Sequence, residues 1–405
     1  MENFDAATAI QDLQYFGEFG GVNPSISDSS TYTFLSAKTM SDTFEGNTEG
    51  CYLYSRHSSP SNLYLSEALA KLEGYENANV TASGMGAITS VLLQLCKSGD
   101  HIVSSRTIYG GTYAFMKNFL PGFQIGTSFV DITYLEKVEN AITDRTKMIY
   151  CETVSNPLLE IADLKALSKL AKKYNLKLVV DNTFSPLSVS PKLLGADITV
   201  HSLTKFINGS SDAVGGVICG SSDFINALKD VNSGACMLLG PTMDSLRAAS
   251  ILKNLRTLHL RIAKHSENAL YLAQRWEEDG LNVKYPGLES HRQHELYKSM
   301  MQGNYGFGGL IALDLKTVEK ANEVMEMMQQ ENLGYLAVSL GFYKTLFSAS
   351  GSSTSSEIPE DEQKEMGLSP GLIRFSIGLD HDIERTYEKM KACMRKAGVL
   401  SAVAV

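Results

Sequence analysis

Lys205 lies within DITVHSLTKFINGSSD (197–212), where an apolar run from Ile198 to Val200 gives way to hydroxyls and glycine. Burial and nearby positive charge both favour the neutral amine of such a lysine, which is then a nucleophile and a base. Ser202 and Thr204 beside it supply hydroxyls suited to an oxyanion such as a phosphate. Asp181 closes another apolar run, in VVDNTFSP (179–186). A carboxylate at a buried strand end is costly without a partner. A protonated pyridine nitrogen is one such partner, and the turn that Asp181 would cap is another.

TASGMGAITSVLLQL (81–95) joins a strand end to a helix through small residues. Backbone N–H groups of Gly84 and Met85 would meet an anion there, aided by the helix dipole. No GK[ST] or GxGxxG spacing accompanies it, so neither a nucleotide P-loop nor a dinucleotide fingerprint is present. Taken alone, the segment is equally a strand–helix turn. Tyr109, in RTIYGGTYAF (106–115), follows a strand-like run and could stack on an aromatic ring. A core or surface position is the commoner fate of any one tyrosine; the amine, the strand-end acid and the phosphate cup together are what pyridoxal phosphate (PLP) requires.

These groups need a scaffold. Short β-branched runs at 101–105, 128–132, 147–153, 177–183, 197–202 and 213–220 alternate with helical stretches such as DLKALSKLAKKYN (163–175). That alternation predicts an α/β fold, a large mostly parallel sheet with helices on both faces. SNLYLSEALAKLEGYE (61–76) has helical spacing between a serine start and Gly74 as a stop. Helical patterns dominate from 245 to 280, and strands are expected at 308–315 and 372–379, giving a smaller C-terminal α+β domain. The expected division is an arm over 1–60, an α/β cofactor domain over 61–250 and the α+β domain over 251–405. The serine-rich stretch 347–363 is expected to be a mobile loop bordering the site.

The chain has 405 residues, 43% hydrophobic and 20% charged, with a net charge of −9, enough for a sizeable core and unfavourable for nucleic acid. Six scattered cysteines without CxxC spacing fit reduced thiols. An acidic start and the lack of a long apolar run imply no signal peptide and no membrane partner, so a cytoplasmic location is expected. His291 and His294 in HRQH lack a helical period and a third ligand, so no metal site is expected and a solvated stretch is. EVMEMMQQ (323–330) has helical spacing and reads as packing.

The stretches YSRHSSPS (54–61), ASGMGAI (82–88), YGGTYAF (109–115), ETVSNPLLEI (152–161), DNTFSP (181–186), HSLTKFINGSSD (201–212) and LIRFSIGLD (372–380) resemble, in order, the PLP-dependent enzymes of cysteine and methionine metabolism. The resemblance implies the fold-type I architecture, with Lys205 as the Schiff-base lysine and Asp181 at the pyridine nitrogen. It places Tyr109 on the ring and Asn156 near the phenolic oxygen. Ser83, Gly84, Met85, Ser202 and Thr204 would hold the phosphate. Tyr54 and Arg56 would cross from a neighbouring subunit, in a homotetramer built as a dimer of dimers. Arg374 would grip the substrate α-carboxylate, with Ser339 beside it.

Within that family, YGGT with Gly111 is similar to cystathionine enzymes and plant-type methionine lyases alike, the loop SASGSSTSSEIP (348–359) is similar to plant-type methionine γ-lyases, and NGSSD lacks the histidine that many relatives place after the glycine. The reaction this implies is α,γ-elimination of L-methionine, with Lys205 as base and Tyr109 as acid. Cystathionine γ-lyase or O-acylhomoserine γ-replacement chemistry is the alternative. A Rossmann-type oxidoreductase is disfavoured by the missing fingerprint.

Overall fold

The computed structural model describes residues 4–48, 50–349 and 359–401. Seven strands form the large sheet: β1 (Asn77–Thr81), β2 (His101–Ser105), β3 (Gly126–Val130), β4 (Thr146–Glu152), β5 (Lys177–Asp181), β6 (Ile198–Ser202) and β7 (Gly216–Gly220). Their order is β1-β7-β6-β5-β4-β2-β3. The five strands from β6 to β3 run parallel, and β7 runs antiparallel to both β6 and β1.

The central strands are buried on both faces, as a helix-covered parallel sheet requires. Along β5, Leu178 and Val180 join one apolar cluster and Val179 joins the other. Met148 and Tyr150 on β4 likewise face away from Ile149 and Cys151. Burying each such aliphatic side chain contributes roughly 1.5–3 kcal/mol.

Local signals start and stop the covering helices. Ser59 Oγ accepts the Asn62 N–H at 3.3 Å and Pro60 opens the helix Pro60–Glu73, which Gly74 ends in the left-handed conformation. Asp163 Oδ1 accepts the Ala166 N–H at 3.0 Å, starting Leu164–Lys173, whose Leu164, Leu167 and Leu170 point inward. The helical stretch expected over 245–280 is two helices, Ser245–Leu255 and Leu258–Glu278.

The second sheet contains β8 (Asn282–Lys284), β9 (Leu310–Asp314), β10 (Tyr335–Leu336), β11 (Leu346–Ala349) and β12 (Leu372–Ser376), ordered β10-β11-β12-β9-β8. Trp276, Phe347 and Phe375 fill its core with Val324, Met325 and Met328, so the methionine-rich segment packs as its spacing predicts. This is the smaller α+β domain, and the whole matches the fold-type I architecture.

Two expectations change. The loop expected over 347–363 is partly regular: Phe347 to Ala349 belong to β11, and the chain re-enters a helix at Glu360–Glu365. Backbone pairing with β12 holds the first end despite its serine content; positions 350–358 lie outside the described residues. His294 is not solvated but buried, its Nδ1–H donating to the Pro286 carbonyl at 2.9 Å and its ring stacked on Phe307. No metal-ligating cluster occurs among the described residues.

Candidate active site

Parallel strands bring their carboxyl ends to one edge of a sheet, where open α/β folds bind ligands. Glu152 ends β4, Asp181 ends β5 and Ser202 ends β6, with Glu152 and Asp181 paired in register. Asp181 is buried, and its Oδ1 accepts the Thr183 N–H at 2.9 Å and the Thr183 hydroxyl at 2.5 Å. Its Oδ2 has no hydrogen bond among the described residues. Burial raises the Asp181 carboxyl, opposed by the two Thr183 bonds. Burial also raises Glu152, reinforced by the neighbouring Asp181. A cation delivered to the open Oδ2 would relieve that cost.

Lys205 follows β6 and donates from Nζ to Ser339 Oγ at 3.1 Å. Burial, reinforced by Arg374, lowers its amine to about 8. The loop carrying Ser339 approaches closely because Gly341 sits at φ +78°, where an added Cβ would lie 2.6 Å from the Phe206 backbone nitrogen. Only glycine fits that conformation and contact without strain.

The helix Gly84–Leu95 begins beside Ser202. Ser83 Oγ caps it by accepting the Gly86 N–H at 3.0 Å, while the Gly84 and Met85 N–H groups lie in the first turn, beyond the helical ladder. A Cβ on Gly84 would sit 2.8 Å from Ser202 Cβ, so the glycine brings helix start and serine together. Thr204 Oγ1 completes the edge, accepting the Gly215 N–H at 3.1 Å.

Across the cavity, Arg374 on β12 is 2% exposed. Its Nη1 donates to Asn156 Oδ1 at 3.1 Å, and its Nη2 donates to the Val338 and Ser339 carbonyls, each at 3.2 Å. Its Nε is buried without a partner, and no carboxylate pairs with Arg374 among the described residues. A buried guanidinium with only neutral acceptors is a receptor for an incoming anion. Tyr109 is half-exposed, its N–H donating to Glu152 Oε1 at 2.7 Å, and its ring lies so close to Gly111 that an added Cβ would meet Cε1 at 2.6 Å.

Ser83, Gly84, Met85, Tyr109, Asn156, Asp181, Ser202, Thr204, Lys205 and Arg374 line one cavity of about 240 Å³, and Ser339 reaches it through Lys205. Tyr54 and Arg56 do not join them. Tyr54 is half-exposed and bridged to Thr31, and Arg56 Nη1 donates to the Met237 carbonyl at 2.7 Å beside His57 and Lys229. Glu152, Thr183 and the apolar walls Phe184, Val214, Val338 and Leu340 also line the cavity. Glu152 closes the apolar strand end YCE and so obeys the rule that singles out Asp181; the apolar walls carry no comparable signal.

The cavity residues fit PLP. The open Asp181 oxygen matches a pyridinium N–H, the glycine-narrowed helix start matches a phosphate, and a lysine of lowered basicity lines the same cavity. Its bidentate-capable arginine stands ready for a carboxylate.

Sequence comparison agrees. Residues 6–394 match the family described as Cys/Met metabolism PLP-dependent enzyme. A methionine gamma-lyase of Arabidopsis thaliana is 46% identical, over 96% of this chain and 90% of its own. A cystathionine gamma-lyase of Bacillus subtilis is 38% identical, over 81% of this chain and 85% of its own. The crystal structure of a putative O-acetylhomoserine (thiol)-lyase from Campylobacter jejuni, which contains a pyridoxyl-lysine, superposes with a TM-score of 0.89 at 30% identity, covering 97% of this chain and all of that one. The chain therefore belongs to the PLP-dependent enzymes of cysteine and methionine metabolism.

Proposed function

We propose that this PLP-dependent carbon–sulfur lyase acts on L-methionine by α,γ-elimination, converting it with water into 2-oxobutanoate, ammonia and methanethiol. The supporting observation is the character of the cavity walls. Phe184, Val214, Val338 and Leu340 form an apolar surface, and Lys205 and Arg374 are the only cations among the described lining residues. Methionine needs one carboxylate grip and an apolar slot for its methylthio end. Cystathionine carries a second amino-acid head, which would place charge against those walls.

Gly84, Met85, Ser202 and Thr204 would hold the cofactor phosphate, Asp181 its ring nitrogen, Tyr109 its face, and Lys205 would anchor it. When bound, PLP supplies an electron sink for charge developing at the substrate Cα. Arg374 orients the substrate by its carboxylate, helped by Asn156 and Ser339. Lys205, freed when the substrate amine displaces it and favoured as a neutral amine by burial, would take the Cα proton. Lys205, having passed that proton on, would take one from Cβ next, and the Tyr109 hydroxyl would protonate the departing thiolate.

The same reading makes Tyr54 and Arg56 contributions to a second copy's site, within a homotetramer. Phe16, Phe19 and Leu35 on the same N-terminal arm are 78%, 103% and 106% exposed, as an arm that packs on another subunit would leave them. No helix among the described residues is long and apolar enough to cross a membrane.

Methionine, cystathionine and O-acetylhomoserine should be supplied separately, the last with and without added thiol, and 2-oxobutanoate and methanethiol measured. The proposal expects the highest kcat/KM for methionine, with methanethiol and 2-oxobutanoate in equal amounts. Preference for cystathionine, or thiol-dependent loss of 2-oxobutanoate, would instead favour the chemistry of the Bacillus or Campylobacter relatives.

A further inference from the structure

Glu152 is the carboxylate in the cavity to which the proposed chemistry assigns no task. It ends β4 in register with Asp181 and is 7% exposed. Its two oxygens serve two separate segments: Oε1 accepts the Tyr109 N–H at 2.7 Å, and Oε2 accepts the Asn156 N–H at 3.0 Å. Asn156 Oδ1 in turn accepts from Arg374 at 3.1 Å, and Arg374 reaches the Ser339 carbonyl at 3.2 Å. One hydrogen-bonded path therefore runs from Tyr109 around the cavity to the residue that receives Lys205.

No cation pairs with Glu152 among the described residues, and its nearest charged neighbour in register is another carboxylate. Burial and Asp181 both penalise its charge, with only the two N–H donors opposing them. An electrostatic cost kept inside a ligand cavity points to a task there.

We propose that Glu152 is a positioning residue for the reaction: it fixes the separation between Tyr109 and the Asn156–Arg374 arm. Proton donor and carboxylate grip then keep one geometry across the bound substrate. This rests on the function proposed above. A neutral amide in its place accepts one of the two N–H groups and turns its own NH₂ toward the other, so one anchor is lost.

Glu152→Gln should be purified as holoenzyme and compared with wild type for cofactor content, melting temperature, visible circular dichroism of the bound cofactor, kcat and KM. Cofactor content and melting temperature should stay close to wild type. The visible dichroism should change, because the ring's stacking partner has moved. kcat should fall by up to about 100-fold through Tyr109, as misplacement by roughly 1 Å does. KM should rise several-fold through Arg374. A lower melting temperature with unchanged dichroism, kcat and KM would overturn the proposal.

If Glu152→Gln fails to fold, Glu152→Asp retains the charge and both acceptors on a shorter stem. It should fold with altered dichroism, and an unaltered band would overturn the proposal equally. Tyr109→Phe and Arg374→Ala belong in the same series. Full activity in both would remove the proposed function itself, whereas losses in both beside a normal Glu152→Gln would remove this inference alone.

Discussion

Lys205 Nζ donates to Ser339 Oγ at 3.1 Å, tying the strand-end loop of the large sheet to a loop of the C-terminal domain. Burial there, with Arg374 nearby, brings the amine from 10.5 down to about 8. A lysine with a depressed pKa loses its proton at lower pH, so its neutral, reactive fraction grows through about pH 8. In apoenzyme, reductive labelling of Lys205 by a small aldehyde, read by mass spectrometry, should show that midpoint. Arg374→Ala should move it upward, because removing a like charge lets the lysine keep its proton. A wild-type midpoint near that of an ordinary lysine would refute the assignment.

Arg374 should matter to substrate far more than to cofactor. Truncating one partner of a buried charge pair costs about 2–5 kcal/mol. Arg374→Ala should therefore lower kcat/KM by roughly 30- to several-thousand-fold, with cofactor content preserved. Arg374→Lys should recover only part of the loss, since an ammonium lacks the planar fork. Near-normal steady-state constants in Arg374→Ala would mean that another group binds the carboxylate.

Strand-end chemistry was legible in the sequence because a polar group closing an apolar run stands out. Asp181 is of that kind, and Lys205 and the Gly84–Met85 turn each come three residues after such a strand end. Glu152 is too, yet its meaning lies in two backbone N–H groups that only the fold supplies. Arg374 and Ser339 reach Lys205 from far along the chain, so resemblance rather than spacing pointed to them. Val214, Val338 and Leu340 are ordinary apolar residues whose cavity position depends on tertiary packing. The antiparallel course of β7 was equally hidden, since hydrophobic pattern records burial and not direction.

Gly84 should be critical for cofactor affinity and not for folding. Alanine there would place its Cβ 2.8 Å from Ser202 Cβ and push the helix start off the serine. Helix propensity alone favours alanine over glycine by about 1 kcal/mol, so the apoprotein melting temperature should change little. Cofactor affinity, measured by equilibrium dialysis, should weaken by about 10-fold, equivalent to 1.4 kcal/mol. Unchanged affinity would place the phosphate elsewhere.

Arg56 and Lys205 can be separated onto different chains, because Arg56 does not line the cavity of its own Lys205. Under the proposed crossing of Arg56 into a partner's site, homodimers of Arg56→Ala and of Lys205→Ala should each be nearly inactive. In a mixed dimer, Lys205 of the first chain meets Arg56 of the second, restoring one site, while the other site loses both residues. Random pairing makes half the dimers mixed, so an equimolar refolded mixture should recover about a quarter of wild-type activity under two-fold symmetry. Differently tagged chains that co-purify would establish that mixed dimers formed. If they form and remain inactive, Arg56 does not complete a partner's site, and the exposed arm would need another explanation.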